Sequence, residues 1–251
     1  MRFKLFACKV VYREISFLSF NSPHILDVTY LRQGYHDTPD LLRKLLQENI
    51  DAVDEGRDPY SYKNNETQDG RFDAILLAYG LCSNAIAGIS SRFHRLVIPR
   101  GHDCITLLLG SKEEYERQHD EMRGRAFWYS GGWIENCLMP GQDRMDALRE
   151  RYSQKFGAKK AEFLLNMEQK WINDYEYATF IDWPELENIG NISYTQKCAE
   201  ELGWKMRLVK GRSSLLRDFI NGDWREKDFL IVPPGRRIEP SYDKSIIGSA
   251  L

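Results

Sequence analysis

Residues Leu96 to Gly110 read LVIPRGHDCITLLLG, two apolar segments joined by a polar turn. The first segment, Leu96 to Ile98, has the composition of a short buried strand and stops at Pro99. The second segment, Ile105 to Leu109, is typical of the first turns of a buried helix. This order predicts a ligand site in the turn, because ligands bind beyond the carboxyl ends of parallel strands.

The polar turn carries four chemically active side chains: Arg100, His102, Asp103 and Cys104. Asp103 is expected to cap the following helix. A thiol beside a helix N-terminus ionises more easily, so we expect a lowered pKa for Cys104. A purely structural interpretation stays open, in which Asp103 only caps the helix, Cys104 is buried and His102 lies at the surface.

The composition and the absence of familiar motifs exclude several classes of protein. The chain has 251 residues and a formal net charge of -2, so no basic field favours nucleic acid. No apolar run approaches the roughly 18 residues needed to span a bilayer, and charged residues interrupt the N-terminal segment, which argues against a signal peptide. P-loop, glycine-rich dinucleotide-binding and H-E-x-x-H motifs are absent. We therefore expect neither nucleic-acid nor membrane partners.

The cysteine content indicates a reducing compartment. The chain has an odd number of cysteines and no secretory signal; they are Cys8, Cys82, Cys104, Cys137 and Cys198. Such a set favours free thiols or metal ligands over a disulfide framework. We therefore expect a cytoplasmic protein, with Cys198 packed in a helix core and no assigned role for Cys137.

Short apolar segments alternate with amphipathic ones, which predicts an α/β fold with mainly parallel sheets. The segments VTYLRQGYHDTPDLLRKLL, from Val28, and MRLVKGRSSLLRDFI, from Met206, are similar, and an apolar strand follows each. We therefore predict two Rossmann-like halves related by duplication, residues 1–140 with the Cys/His site and residues 141–251 with a helical connector. The connector's buried stripe is predicted as Phe163, Leu164, Met167 and Trp171, and residues 54–70 as an exposed loop.

Three cysteines fall at the ends of predicted strands. Cys8 falls near the end of the first predicted strand, Arg2 to Val11, Cys82 follows FDAILLAYG, and Cys104 follows the strand from Leu96. Because parallel strands end at the same edge of a sheet, we expect the three sulfurs to lie close enough to share one ligand. With His102 they would form a tetrahedral zinc site, and alone they could hold a [4Fe-4S] cluster.

Two metal-free interpretations stay open. In one, Cys82 and His102 are catalytic, with His102 as the general base that activates the thiol of Cys82 or Cys104. In the other, the same edge of the sheet binds a small molecule without turnover. Arg100 would face an anionic ligand, since a guanidinium matches carboxylate or phosphate. The remaining predicted ligand contacts are Tyr79, Trp128 and Trp133; the two tryptophans form either a stacking wall or part of a core cluster.

Several short motifs together resemble one protein family. They are Ala7-Cys8, Tyr79-Gly80-Leu81-Cys82, the segment Pro99 to Ser111, Gly132-Trp133 and Val232-Pro233-Pro234-Gly235. In this combination, which covers most of the chain, they resemble the DUF1638 family of uncharacterised proteins, common in methanogens and other anaerobes. The resemblance implies no settled activity. It does imply an association with corrinoid-dependent methyl transfer. The partners that it implies are a corrinoid-linked small molecule and a methyltransferase.

Overall fold

The computed structural model describes residues 1–57, 72–186 and 191–251. They form two compact units, Met1–Tyr115 with Arg212–Leu251, and Glu116–Gly211. The predicted boundary at residue 140 falls inside the second unit. Most of the loop predicted at residues 54–70 lies outside the described residues, and its first residue ends a helix.

The described residues confirm a mixed α/β protein. Their strands are β1 Arg2–Cys8, β2 Ile25–Leu31, β3 Ala74–Ala78, β4 Leu96–Pro99, β5 Ala126–Tyr129, β6 Tyr177–Asp182, β7 Lys205–Lys210, β8 Phe229–Val232, β9 Arg237–Pro240 and β10 Ile247–Ala250. Their α-helices are α1 Tyr12–Phe20, α2 Pro39–Asp54, α3 Cys104–Leu109, α4 Lys112–Glu121, α5 Gly131–Asn136, α6 Gln142–Phe156, α7 Ala158–Glu168, α8 Asn191–Leu202 and α9 Ser214–Asn221. None of the helices in the described ranges is long and apolar enough to cross a bilayer.

The first unit contains a five-stranded sheet in the order β2-β1-β3-β4-β8. The strands from β2 to β4 are parallel, and β8 runs antiparallel to β4. The chain places β2 on one side of β1 and β3 on the other, so the strand order changes direction between β1 and β3. In open α/β sheets, the crevice that binds ligands lies at the carboxyl ends of such a strand pair.

The centre of this sheet is buried on both faces. The apolar strands β3 and β4 are buried throughout, as their continuous apolar sequences predict. In β1, Lys4 is also fully buried, and its Nζ donates to Asp27 Oδ1 of β2 at 3.1 Å. A buried ammonium is costly unless a carboxylate pairs with it, so this contact stabilises Lys4 in the interior of the sheet.

The helices of the first unit differ from the sequence predictions in one place. Helix α2 starts at Pro39, as a proline directly after Thr38 predicts for the first helical position, and it buries one apolar face. The first strand was expected to continue to Val11, which is wrong, because the chain leaves the sheet after Cys8 and forms a 3-10 turn and then α1. Ile15 and Leu18 are both buried, and their spacing of three residues is helical.

The second unit is built on a three-stranded parallel sheet in the order β5-β6-β7. Cys198 of α8 is buried in its core, as predicted. The stripe predicted for the connector is wrong at Phe163 and Met167, which are 64% and 50% exposed, whereas Trp171 packs against the core of this unit and Leu164 is partly buried. Helix α7 instead buries Ala161 and Leu165. It pairs with α6.

The internal repeat is not confirmed by the strand pairing. The repeat aligned β8 with β3, which would make β8 a parallel strand of a second sheet. Instead β8 joins the sheet of the first unit and runs antiparallel to β4, with Leu96 opposite Val232 and Pro99 opposite Phe229. The chain then closes with the antiparallel hairpin of β9 and β10.

The Lys4–Asp27 pair generates a stability prediction. Asp27→Ala should lower the free energy of unfolding by about 3 kcal/mol, because it leaves the buried ammonium without this carboxylate. The measurement is urea denaturation followed by circular dichroism. Glu48→Ala serves as the control, since the Glu48–Lys44 pair is exposed and should change stability by less than about 1 kcal/mol. Equal losses in the two variants would contradict the role of the buried pair.

Candidate functional site

The turns that follow β3 and β4 are bonded directly to each other. The backbone N–H of Leu81 donates to the carbonyl of Gly101, and that of Cys82 donates to the carbonyl of His102, both at 2.8 Å. This approach requires glycine at position 80, where a Cβ atom would lie 2.4 Å from the backbone nitrogen of Asp103. The two turns therefore form one continuous platform at the carboxyl edge of the sheet.

Cys82 begins an unusual left-handed turn. Cys82, Ser83 and Asn84 have φ angles of 46°, 56° and 65°, a conformation that costs roughly 1–2 kcal/mol per non-glycine residue. The turn closes through a bond from Ala85 N–H to the Cys82 carbonyl at 3.0 Å. Arg43 of α2 also donates to the Asn84 carbonyl at 2.8 Å. The surrounding structure therefore holds strained backbone at a candidate site, which is where strain usually persists.

Cys104 is the first residue of α3, and Asp103 caps this helix as predicted. The Asp103 carboxylate accepts from Ile105 N–H at 2.9 Å and from Thr106 N–H at 3.3 Å. Tyr115 also donates to this carboxylate at 3.5 Å. Burial raises the pKa of Asp103, and the two backbone N–H bonds oppose that effect. The cap fixes the start of α3 and, with it, the position of the Cys104 thiol.

The structure brings the thiols of Cys8, Cys82 and Cys104 together. The side chains of Cys8 and Cys82 lie close enough to that of Cys104 to contribute to its pKa shift, although the three residues follow three different strands. Each residue is 8–9% exposed, so the cluster lies just below the surface. We call these residues the three-thiol cluster.

The cluster gives its members opposite tendencies to ionise. The hydrogen bond from Cys104 lowers the pKa of Cys8, against the opposing effect of burial. The hydrogen bonds to Cys8 and Cys82, together with burial, raise the pKa of Cys104 well above its usual range. The expectation that the start of α3 lowers the pKa of Cys104 is therefore wrong, because adjacent thiols and burial outweigh the helix N-terminus. Of the pair Cys8 and Cys104, Cys8 is therefore the thiol whose pKa is lowered.

Tyr79 completes the buried environment of the cluster. Ala7 of β1 lies opposite Ala78 of β3, so the next residues, Cys8 and Tyr79, project to the same face if the register continues. Burial raises the pKa of Tyr79 well above its usual range, and the fields of Cys8, Cys104 and Cys82 add to this effect. Tyr79 therefore stays a neutral hydrogen-bond donor. Its hydroxyl has no hydrogen-bond partner among the described residues.

His102 and Arg100 lie near the cluster in sequence but have other surroundings. The His102 ring is exposed, with its centroid 6.4 Å from that of Tyr115. Arg100 donates to the backbone carbonyls of Glu226 at 2.8 Å and Ser245 at 3.0 Å, and also to that of Ile247. The guanidinium therefore holds the C-terminal segment, and these contacts do not favour the anion-binding role predicted for it.

The described side chains contain no ready-made metal site. In residues 1–57, 72–186 and 191–251, no group of three or more His, Cys, Asp or Glu side chains is arranged to hold a metal ion. The thiols of the three-thiol cluster instead influence one another's pKa values. The metal-ligand roles predicted for Cys8, Cys82, Cys104 and His102 thus stay predictions.

The aromatic segment belongs to the second unit, away in sequence from the three-thiol cluster. Phe127 has its ring centroid 5.7 Å from that of Trp171 and 6.0 Å from that of Trp204, and Trp133 packs against the same core. Trp128 points to the opposite face of β5 and is partly buried. The core-cluster interpretation therefore describes most of this segment, and the ligand-binding roles of Trp128 and Trp133 stay predictions.

Sequence reasoning missed the contribution of Arg43. It lies on the partly exposed side of α2, where a charged residue looks like ordinary surface. Nothing in its sequence position signals the bond to Asn84. Three consecutive non-glycine residues in the left-handed conformation are equally invisible in sequence.

One comparison with known proteins finds a match. The profile of a family described as "Protein of unknown function (DUF1638)" matches residues 30–220, a range that includes Cys82 and Cys104 but not Cys8. No curated protein and no solved structure matches the chain.

The contact at Gly80 generates a prediction about the platform. Gly80→Ala should lower the free energy of unfolding by about 1–3 kcal/mol, because the added Cβ forces the two turns apart. Urea denaturation measures the change. Gly248→Ala is the matched control, since no atom lies within 4 Å of its added Cβ. The close approach would be unimportant if both variants were equally stable.

The bond between Cys104 and Cys8 generates a prediction about reactivity. Cys104→Ala should raise the pKa of Cys8, because the thiolate of Cys8 loses its donor. Alkylation of Cys8 by iodoacetamide, followed by peptide mass mapping across pH, should then begin at a higher pH than in the wild type. Cys104→Ser retains an O–H donor and should shift the profile less. Identical profiles in all three proteins would show that Cys104 does not stabilise the thiolate.

Proposed function

The chain belongs to the DUF1638 family, and we propose that its three-thiol cluster binds a thiophilic metal, either zinc or an iron–sulfur cluster. Cys8, Cys82 and Cys104 would be the protein ligands. All three carry the soft sulfur donor that these metals prefer. The proposal makes this protein a metal-binding α/β protein with its site at the carboxyl edge of a parallel sheet.

One observation carries the proposal: the side chains of Cys8 and Cys82 are close enough to that of Cys104 to shift its pKa, although the three cysteines come from separate strand ends. Three thiolates at this separation repel one another, and a bound cation removes that repulsion. Zinc–sulfur bonds of about 2.3 Å would keep the sulfurs at separations similar to those of hydrogen-bonded thiols. Binding requires the thiols to lose their protons and turn toward a common centre. Metal binding to cysteine normally includes such a loss of protons.

The backbone around Cys82 supports the same proposal. The left-handed turn and the Gly80 contact both place Cys82 beside Cys104. A purely structural cysteine needs neither of these costly features, because a small apolar residue packs equally well in a buried turn. Strain that is held by specific contacts is instead common at ligand sites.

The bound group would supply Lewis acidity toward an oxygen or sulfur ligand. The chain itself would position that group through the platform and exclude water by burial. His102 would reach the group only by turning from its exposed position, as a fourth ligand or as a base. Five free cysteines among the described residues support a reducing, cytoplasmic setting.

Two more specific parts of the proposal, the biochemical partner and the fold family of the two units, rest on fewer observations. The family resemblance supports a link to corrinoid-dependent methyl transfer, with a methyltransferase as partner. The order of β2, β1, β3 and β4 supports a Rossmann-like first unit, and the parallel β5, β6 and β7 support a related second unit.

A metal-free thiol site is the second candidate function. The lowered pKa of Cys8 favours it, because a thiolate is the nucleophilic form of cysteine. The nucleophile would then be Cys8, in place of the Cys82 or Cys104 predicted from the sequence. A small-molecule binding module without turnover is the remaining alternative.

Metal analysis of protein purified without oxygen tests the proposal. We expect close to one zinc ion, or about four iron atoms with a broad visible absorption, per chain. Cys8→Ser, Cys82→Ser and Cys104→Ser should each lose most of this metal. Cys198→Ser is the matched control, since Cys198 is equally buried but lies in the second unit. A metal-free wild type that does not take up zinc or iron would overturn the proposal. Rapid alkylation of Cys8 in that protein would then favour the thiol site.

A further inference from the structure

Two thiols of the cluster come from segments that pack against each other. The 3-10 turn Lys9–Val11, which directly follows Cys8, contacts α3, which begins at Cys104. Both cysteines are free, each is 8% exposed, and their side chains are close enough to influence each other's pKa. Where two free thiols adjoin, one sulfur can be oxidised and the other can then form a disulfide with it.

The hydroxyl of Tyr79 is a buried donor at the same place. Tyr79 is 2% exposed, and no described residue makes a hydrogen bond to its hydroxyl. Its neighbour in the continued register is Cys8, because Ala7 lies opposite Ala78. Buried tyrosine hydroxyls normally have a hydrogen-bond partner from protein or water. A donor without a protein partner beside a sulfur indicates a site for an oxygen atom that the described side chains do not provide.

These two features restrict the kind of molecule that can react here. The cysteines are mostly buried, so a protein disulfide or another bulky oxidant reaches their sulfurs only after local opening. A molecule of a few atoms has easier access, and the Tyr79 hydroxyl favours one with an oxygen acceptor. A small hydroperoxide meets both requirements, because its oxygens accept hydrogen bonds and a thiolate breaks its O–O bond.

We propose that Cys8 and Cys104 reduce a small hydroperoxide, with Tyr79 as the hydrogen-bond donor to its leaving oxygen. The inference deepens the metal-free candidate function described above and applies to the cluster without a bound metal. Cys8 is assigned the first step because it is the neighbour of Tyr79 in the register. Cys104 is assigned the second step because its helix packs against the turn that follows Cys8.

The reaction has two steps. In the first, the thiolate of Cys8 attacks one oxygen of the hydroperoxide, so that an S–O bond forms and the O–O bond breaks. The leaving oxygen takes the proton that the Cys8 thiol gave up, which yields an alcohol, or water from hydrogen peroxide, and a sulfenic acid on Cys8. In the second, the sulfur of Cys104 attacks that of Cys8 and hydroxide leaves with the Cys104 proton, which yields water and a disulfide. A small external dithiol then reduces this disulfide by exchange.

Reduced, full-length protein treated with hydrogen peroxide provides the test, and its metal content is measured in the same sample. Non-reducing peptide mass mapping should find a disulfide between Cys8 and Cys104, while Cys82 and Cys198 remain reduced. Oxidised glutathione, a bulkier oxidant, should form this disulfide more slowly at the same concentration. Cys104→Ala should instead retain a sulfenic acid on Cys8, which dimedone labels.

Substitution of Tyr79 tests the role of its hydroxyl. Tyr79→Phe should slow the reaction with hydrogen peroxide by about tenfold, the typical effect of one lost hydrogen bond. Its melting temperature should not fall, because the substitution removes a hydroxyl without a protein partner. Tyr129→Phe is the matched control, since its buried hydroxyl lies in the second unit and donates to the Pro140 carbonyl at 3.3 Å. It should melt at a lower temperature but react with peroxide at the wild-type rate.

The outcomes separate this inference from the proposed metal site. A wild type that forms no disulfide, or in which Cys198 is oxidised as fast as Cys8, overturns the inference, whereas metal in that protein would still support the metal site. Faster oxidation by glutathione disulfide overturns the choice of substrate, and equal rates in wild type and Tyr79→Phe overturn the role of Tyr79. Rapid disulfide formation in protein that takes up neither zinc nor iron supports the inference while the metal proposal fails.

Discussion

The candidate site depends on the direct bonding of two turns, those that follow β3 and β4. The N–H groups of Leu81 and Cys82 donate to the carbonyls of Gly101 and His102. This bonding extends the contact between the two strands beyond their ends, so that the turns behave as one platform. Gly80 allows it, because any side chain there would meet the backbone of Asp103. Loops usually leave backbone groups to water, and here they bond to each other instead.

The platform explains why three thiols meet in a region with so little solvent. Cys82 is held by a strained turn, Cys104 by the cap that Asp103 provides, and Cys8 by the end of β1. The strain of the turn is roughly 1–2 kcal/mol per residue. The charge-assisted bond from Arg43 to the Asn84 carbonyl and the bonds to the neighbouring turn oppose this strain. The position of Cys82 is therefore maintained by α2 as well as by the sheet.

The crowding of the thiols also determines their chemistry. A neighbouring thiol can donate to the thiolate of Cys8, which lowers the pKa of Cys8. The same neighbours and burial raise the pKa of Cys104, so the two thiols do not ionise equally readily. Without a cation the cluster therefore holds few negative charges. A thiophilic metal changes this balance, because it replaces protons with a shared positive charge. The same crowding leaves the Tyr79 hydroxyl facing sulfurs that it does not reach.

Much of this protein can be predicted from residue patterns alone. The α/β class, most strands, the start of α2 at Pro39 and the Asp103 cap follow from periodicity and capping preferences, which are local properties of the chain. The convergence of the cysteines was also predictable, because parallel strands share one carboxyl edge. Local patterns failed at α7, where Phe163 and Met167 form a helical stripe but face solvent. Which stripe becomes buried depends on the neighbouring element, and the sequence does not specify that neighbour.

The sequence by itself determined the elements and the reactive residues, because both depend on short-range properties of side chain and backbone. Only the tertiary structure decided which of those residues meet. It directed Arg100 to the C-terminal segment, placed Trp133 against the core of the second unit and left His102 exposed. It also turned β8 antiparallel against β4. The physical reason is that these contacts join residues far apart in the chain, and their geometry is set by the packing of whole elements.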